Sequence, residues 1–203
     1  MKTCSVDGCS EKHVARGYCQ KHYRQFMKYG YILSRVPRDP NEFSFDNDIC
    51  YIQTYDKFSN PKNLVLIDSE DYNKVKNLKW CVMQDNIVMN NYVGLLSRFI
   101  MDVLDDDSVQ VDHKNHNRLD NRKENLRVCT PGQNSRNTRK PSNNKSGYKG
   151  VSWDASRNKW MVKIGLNRKA IHLGRYTSKK EAVKAYNEAA IKYHGEFACL
   201  NKL

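Results

Sequence analysis

Residues 112–137 read DHKNHNRLDNRKENLRVCTPGQNSRN, with an acid and an imidazole side by side as Asp112 and His113. Asn125 follows twelve residues after the histidine, and Asn134 nine after that. A carboxylate and an amide oxygen are ligands that a hard divalent cation accepts. A neutral imidazole can take a proton from water near neutral pH. Phosphodiester hydrolysis asks for both: an activated water, and a Lewis acid to neutralise charge on the departing oxygen. His116, in the same stretch, reads as a solvated loop histidine or a phosphate contact, not as a second base.

Local patterning says what must position these groups. SVQVDH alternates as a short strand ending on the acid and the imidazole. HKNHNRLDNRKEN is polar and Asn/Asp-rich, hence a loop. NLRVCT alternates again, with Leu126 and Val128 on one face and Arg127 and Cys129 on the other. Thr130-Pro131-Gly132-Gln133 is a helix start: Thr130 as N-cap, Pro131 in the first turn, Gln133 completing a capping box. Asn134 therefore sits in the first turn of a helix packed on a hairpin.

Strand, loop, strand and helix carrying Asp112-His113, Asn125 and Asn134 resemble the ββα-metal motif of HNH endonucleases, in the phage-type variant whose last ligand is Asn. The resemblance implies Asp112 and Asn134 as ligands of a magnesium or manganese ion and His113 as general base. It assigns orientation of the second imidazole nitrogen to Asn125, or to a backbone carbonyl near it.

The 203 residues carry 35 Lys and Arg against 22 Asp and Glu, a formal charge of +13. Such an excess points to a polyanion, most simply nucleic acid, and the nuclease resemblance makes double-stranded DNA the expected partner. Mean hydropathy is −0.82, no apolar run approaches a membrane span, and MKTCSVDGCS lacks a signal-peptide core. The expected location is cytoplasmic, in the host cell of a phage or mobile element, with no membrane partner. Seven cysteines in such a chain favour metal binding over a disulfide framework.

Five segments are expected. Residues 1–30 hold Cys4-x4-Cys9-x9-Cys19-x2-His22, a tetrahedral structural zinc shell in a segment too short for a core; His13 is the rival fourth ligand. The module resembles small zinc fingers that precede phage HNH nucleases. Residues 31–50, with two prolines and little periodicity, read as a linker. Residues 51–137 form the nuclease and its scaffold: NLVLID as a strand, a helix from Ser69, two strands around residue 85, and an amphipathic helix LLSRFIMDVL with Leu95, Phe99, Ile100 and Val103 inward. Asp68, Glu70 and Asp71 are better explained as helix-capping acids than as a second metal site. Arg98 reaches either a phosphate or a surface acid. Residues 138–146 are a basic linker, and residues 147–203 a further domain.

From Asn134 to Lys180 thirteen Lys or Arg face one acid, Asp154, a bias suited to a DNA backbone. GYKGVSW, KWMVKIGL and KAIHLGRY read as three strands, and Ser178 caps a helix ended by Gly195. Trp160, Val162 and Ile164 point toward that helix; Lys159, Met161 and Lys163 point away. Gly150-Val151, Lys159-Trp160, Leu173-Gly174, Glu181-Ala182, Ala185-Tyr186, Ala189-Ala190 and Leu200-Asn201 resemble the plant Apetala/ethylene-response-factor domain. By position in that family, Lys149, Ser152, Lys159, Lys163 and His172 fall on DNA. Ser152 and His172 depart from its arginine and tryptophan, so its sequence preference does not transfer. Arg136, Arg139, Lys140, Arg157 and Arg175 are further DNA candidates; Trp153 and Trp160 read as packing.

The expected fold is α+β: a small zinc module, a ββα-metal nuclease domain, and a three-stranded antiparallel sheet packed on one helix. The expected activity is site-specific DNA cleavage of the homing type, by a monomer that nicks or a homodimer that breaks both strands. The alternative is a non-catalytic DNA-binding regulator with a degenerate nuclease fold, which predicts a missing base or ligand.

Overall fold

The computed structural model describes residues 2–33, 35 and 39–203. The fold is α+β, with two apolar cores and, ahead of them, a cysteine–histidine cluster. In the N-terminal part, helix α1 (Gln20–Tyr29) follows short antiparallel bridges, Thr3 with Lys12 and Ala15 with Tyr18. Gly30 ends α1 at φ 79°, a left-handed cap that donates its N–H to Phe26 O.

A meander of β1 (Glu42–Asp46), β2 (Ile49–Tyr55) and β3 (Pro61–Asp68) comes next. Strand β1 lies inside the stretch expected to be a linker. Phe43 and Phe45 share one face of it, and both rings pack edge-on against Tyr72, at 5.2 and 5.1 Å. That partner is remote in sequence, which is why a polar-looking segment pairs as a strand. The linker reading of residues 34 and 36–38 lies outside the described residues.

Beyond β3 the expected helix at Ser69 is a 3-10 turn, Ser69–Asp71, running into the single turn α2 (Tyr72–Val75). Strands β4 (Cys81–Val82), β5 (Val88–Asn90) and β6 (Gly94–Leu95) form a small antiparallel sheet. Helix α3 (Leu96–Ile100) is shorter than expected and buries Leu96 and Ile100, whereas Leu95 is exposed. Arg98 gives the physical reason. Its guanidinium donates to the carbonyls of Val103, Leu104, Asp106 and Val109, so the chain curls around it instead of extending the helix. Arg98 is thus held by backbone carbonyls and not by a surface acid. The core of this part centres on Trp80, fully buried among Ile52, Val65, Ile67 and Leu96. Asn41 bridges it both ways, accepting the Trp80 N–H at 2.7 Å and donating to Trp80 O at 3.1 Å.

Strands β7 (Gln110–His113) and β8 (Leu126–Cys129) pair antiparallel, with Asp112 opposite Arg127. Helix α4 (Pro131–Asn137) follows with its capping box formed: Thr130 Oγ1 accepts from Gln133 N–H, and Gln133 Oε1 accepts from Thr130 N–H. In the C-terminal part, β9 (Val151–Asp154), β10 (Lys159–Leu166) and β11 (Lys169–Tyr176) form a sheet with β10 in the middle. Helix α5 (Lys179–His194) packs behind it through Ala182, Val183, Tyr186 and Ala190. Asn167 and Arg168 both take positive φ, the geometry of a two-residue hairpin turn.

Gly150 is the tightest point of that packing. At φ 73°, an added Cβ would lie 2.2 Å from the Tyr186 ring and 2.6 Å from Lys163 O. Backbone and aromatic ring cannot both retreat. Gly150→Ala should therefore destabilise the C-terminal part by roughly 3 kcal/mol, combining overpacking with left-handed strain. Urea denaturation followed by Trp fluorescence checks this; an unchanged midpoint would refute the packing account.

Candidate active site and metal centre

Asp112 and His113 end β7, and a loop then runs to β8 and α4. Asp112, His113, His116, Arg118, Asn134, Asn137 and Arg139 line one cleft, together with Asp85 and Asn86. The structure thus brings Asp112, His113 and Asn134 to one place, as the hairpin-and-helix pattern requires.

The second imidazole nitrogen is not served by Asn125. His113 Nε2 lies 3.2 Å from Asn121 Oδ1, while Asn121 Nδ2 donates to Arg118 O at 3.0 Å. The second bond fixes which end of the amide is the acceptor, so Nε2 carries the proton and Nδ1 is left with the lone pair. Burial holds the His113 pKa below its ordinary value; the Asn121 hydrogen bond and the Asp112 charge oppose that, and Arg118 reinforces it. Asn125 instead closes the loop on itself. Its Oδ1 accepts Asn115 N–H at 3.0 Å, its Nδ2 donates to Asp120 O at 2.7 Å, and its carbonyl accepts Lys114 N–H. A loop this rich in Asx residues needs an internal brace, and Asn125, buried beside β8, is where the brace forms.

Around Asp112 the partners are Arg127 and Asn137. Arg127 donates from Nε and Nη2 to Oδ2, at 2.9 and 2.6 Å. Asn137 Nδ2 spans Oδ1 and Oδ2, at 3.0 and 2.9 Å. Oδ1 is thus the less occupied oxygen. Asn134, one turn earlier on α4, donates from Nδ2 to Gln110 Oε1 at 2.7 Å, which leaves its amide oxygen as the free end. A carboxylate oxygen and an amide oxygen in one cleft suit a hard cation.

Sequence reasoning missed Asn121, Asn137 and Arg127. Asn137 had a signal, since it lies three residues after Asn134 on the same helix face. So did Arg127, once the hairpin register sets it opposite Asp112. Asn121 had none, being one amide among many in the loop.

The N-terminal cluster is closed. Cys4, Cys9, Cys19 and His22 present ligand atoms all within 4.8 Å of one another. Cys4 Sγ and Cys19 Sγ lie 3.2 and 3.5 Å from His22 Nδ1, and Cys9 Sγ lies 4.0 Å from Cys19 Sγ. Zinc bonds of about 2.3 Å to sulfur put tetrahedral sulfurs about 3.8 Å apart, so the group fits the ion. His13 is otherwise engaged: its Nε2 accepts Gly17 N–H at 2.9 Å, bracing the turn before α1.

On the C-terminal sheet, Ser152, Lys159, Lys163, His172 and Arg175 are exposed, and pairing puts Ser152 and Arg175 beside Met161 and His172 beside Lys163. Asp154, the one acid of the basic stretch, is bonded by Arg175 at 2.8 Å, which with Ser156 and Arg157 brings its carboxyl down to about 2. Arg157 stands beside it at 3.5 Å, and Arg139 and Lys140 are exposed. Lys149 departs from expectation. Its ammonium donates to Arg136 O and Thr138 O, at 2.7 and 2.6 Å, and burial lowers its pKa. Carbonyls left open at the end of α4 attract a cation, so Lys149 docks on the nuclease helix. Arg136 is half-buried beside it.

Comparison with known proteins agrees with this geometry. The HNH endonuclease family model matches residues 104–136, and the AP2 domain model matches residues 146–196. An uncharacterized HNH endonuclease of Acanthamoeba polyphaga mimivirus is 30% identical over 135 residues, covering 64% of this chain and 70% of the relative. Protein 3.8 of Escherichia phage T7 is 34% identical over 88 residues, covering 43% of this chain and 72% of that protein. The chain belongs to the HNH endonuclease family, and it carries a DNA-binding AP2 domain. No described helix is long and apolar enough to cross a membrane.

The closed cluster predicts one zinc ion per chain, measurable by metal analysis of dialysed protein. Cys19→Ser should reduce that to none and cost residues 2–30 their amide protection, while the Trp80 core melts as before. Zinc retained at full stoichiometry in Cys19→Ser would refute the ligand set.

Proposed function

We propose that the protein is a site-specific DNA endonuclease of the homing type, with His113 as general base and one divalent cation, magnesium or manganese, held by Asp112 and Asn134. The supporting observation is the hydrogen bond that His113 Nε2–H donates to Asn121 Oδ1, beside a carboxylate and an amide oxygen in the same cleft. The ion, when bound, supplies Lewis acidity for the leaving 3′ oxygen.

The chain's own groups do the rest. His113, neutral through burial, accepts the proton of the attacking water at Nδ1. Asn121 keeps the ring in that tautomer. Arg118 and Arg139 on the cleft walls draw in the phosphate, and His116 lines the same cleft. Exposed Lys159, Lys163, His172 and Arg175 seat the C-terminal sheet on duplex DNA, with Ser152 and His172 carrying part of the base readout. The basic N-terminal module, folded around zinc, extends the contact, so that the recognised site is long. Domain limits near residues 30, 137 and 147 follow from this division, with β1 joining the nuclease scaffold. With one centre per chain, a monomer nicks one strand, and a double-strand break needs a homodimer or a second event.

Supercoiled plasmid carrying the target, incubated with protein and Mg2+ or Mn2+, tests the assignment. His113→Ala should lower the nicking rate by about 10²–10⁴-fold. Asn121→Ala should lower it on the order of tenfold to a hundredfold through loss of aim. Neither should weaken DNA binding in EDTA. Equal nicking by His113→Ala removes it as base. Tight binding with no nicking by any form would favour the non-catalytic regulator.

A further inference from the structure

Arg127 joins the nuclease carboxylate to the C-terminal domain. One edge of its guanidinium holds Asp112 Oδ2 through Nε and Nη2. Its Nη1 donates to Glu196 O at 2.5 Å, and its central carbon lies 4.0 Å from the centre of the Phe197 ring. Glu196 and Phe197 lie in the 3-10 turn Gly195–Phe197 that follows α5, 69 residues along the chain from Arg127 in the case of Glu196. The ion pair is buried, with side chains 10% and 8% exposed.

Phe197 strengthens the case. It is 6% exposed, yet it belongs to neither apolar core. A buried aromatic of the C-terminal domain is thus spent on covering a charged group of the nuclease hairpin. Lys149 ties down the same junction from the other side, through the carbonyls of Arg136 and Thr138.

We propose that Arg127 is a positioning residue that couples the seating of the C-terminal DNA-binding domain to the orientation of the Asp112 carboxylate. The inference rests on the assignment of Asp112 as a cation ligand. A guanidinium is a rigid plane with donors along its edges and a face that prefers aromatic rings. Here one edge is fixed by Asp112, a further donor by Glu196 O, and the face by Phe197. The plane is defined only while the turn is docked. With the plane fixed, Oδ2 stays occupied and Oδ1, which receives only Asn137, is the oxygen offered to a cation. If the turn shifts, Arg127 keeps a single anchor on a flexible stem, and the carboxylate loses its aim. Seating of the basic sheet on DNA is therefore felt at Asp112 through one side chain.

The test uses full-length, zinc-saturated protein and the variants Phe197→Leu and Arg127→Lys. The first keeps apolar volume and removes the ring face; the second keeps the charge and removes the planar fork. Mn2+ affinity is measured calorimetrically without DNA, with Asp112→Ala as blank. Single-turnover nicking, DNA affinity in EDTA and thermal melting are measured alongside. Both variants should bind Mn2+ about 10–100-fold more weakly and nick more slowly by a similar factor, as expected for a group that orients a ligand from behind. DNA affinity should stay within about twofold, because the basic sheet is untouched. Wild-type Mn2+ affinity in both variants overturns the coupling while leaving the nuclease assignment standing. So does a loss that merely tracks lower melting temperature or weaker DNA binding, since that is a stability effect. A wild-type chain with no Asp112-dependent Mn2+ binding and no nicking sinks the assignment and the coupling together.

Discussion

Two backbone hydrogen bonds at the edge of β3 hold the active-site loop to the scaffold. Leu66 donates to Leu119 O and accepts from Asn121 N–H, each at 2.8 Å, with Asp120 bridging Leu66 in parallel. The loop's internal bonds, Asp120 to Arg122 and Asn115 to Asn125, would close it without aiming it. The edge of a sheet supplies the missing reference. Asn121, 1% exposed, is thereby placed beneath His113, and the ring inherits the rigidity of β2 and β3. Each such bond contributes only about 1 kcal/mol net, but leaving either group buried and unpaired would cost more, about 1–3 kcal/mol. The scaffold is therefore part of what positions the candidate site.

Charge is distributed on the same logic. The excess of +13 is carried largely on exposed side chains of the C-terminal sheet and the connector before it. Three sequestered cations are tied off: Arg98 by four carbonyls, Lys149 by two, Arg127 by Asp112 and Glu196 O. Asp154 holds Arg175 on the sheet face, where a free arginine would sample many rotamers. Long-range attraction to DNA and local order at the site thus use different members of one residue class, separated by burial.

What could be read from the sequence was what local rules decide. The capping box at Thr130 and Gln133, the two-residue turn at Asn167 and Arg168, and the alternation of Trp160, Val162 and Ile164 depend on neighbours a few positions away. So does the spacing of Cys19 and His22 on one helical turn. Failures fell where a partner outside the local pattern decides. Strand β1 exists because Tyr72 lies across it; α3 stops because Arg98 finds four carbonyls; Lys149 turns inward because α4 ends beside it. The choice between Asn121 and Asn125 is the sharpest case. Both are amides in one polar loop, and only the edge of β3 distinguishes them.

Amides are also the reason the site tolerates so much polarity at close quarters. Asn121, Asn125, Asn134 and Asn137 each offer one donor end and one acceptor end without a net charge. A carboxylate beneath His113 would orient the ring equally well, but it would also stabilise the imidazolium and work against a neutral base. A second cation in place of Asn137 would compete with any metal for Asp112. Neutral groups can aim the imidazole and the carboxylate without adding a charge beside either. The cost is that each amide must itself be held in place to be useful. Asn121 meets that condition through Arg118 O, and Asn137 through Asp112 and His113 O on its donor side. Asn134, tied by Gln110 at its nitrogen, keeps its oxygen open, and that asymmetry is what suits it to the ligand role proposed for it.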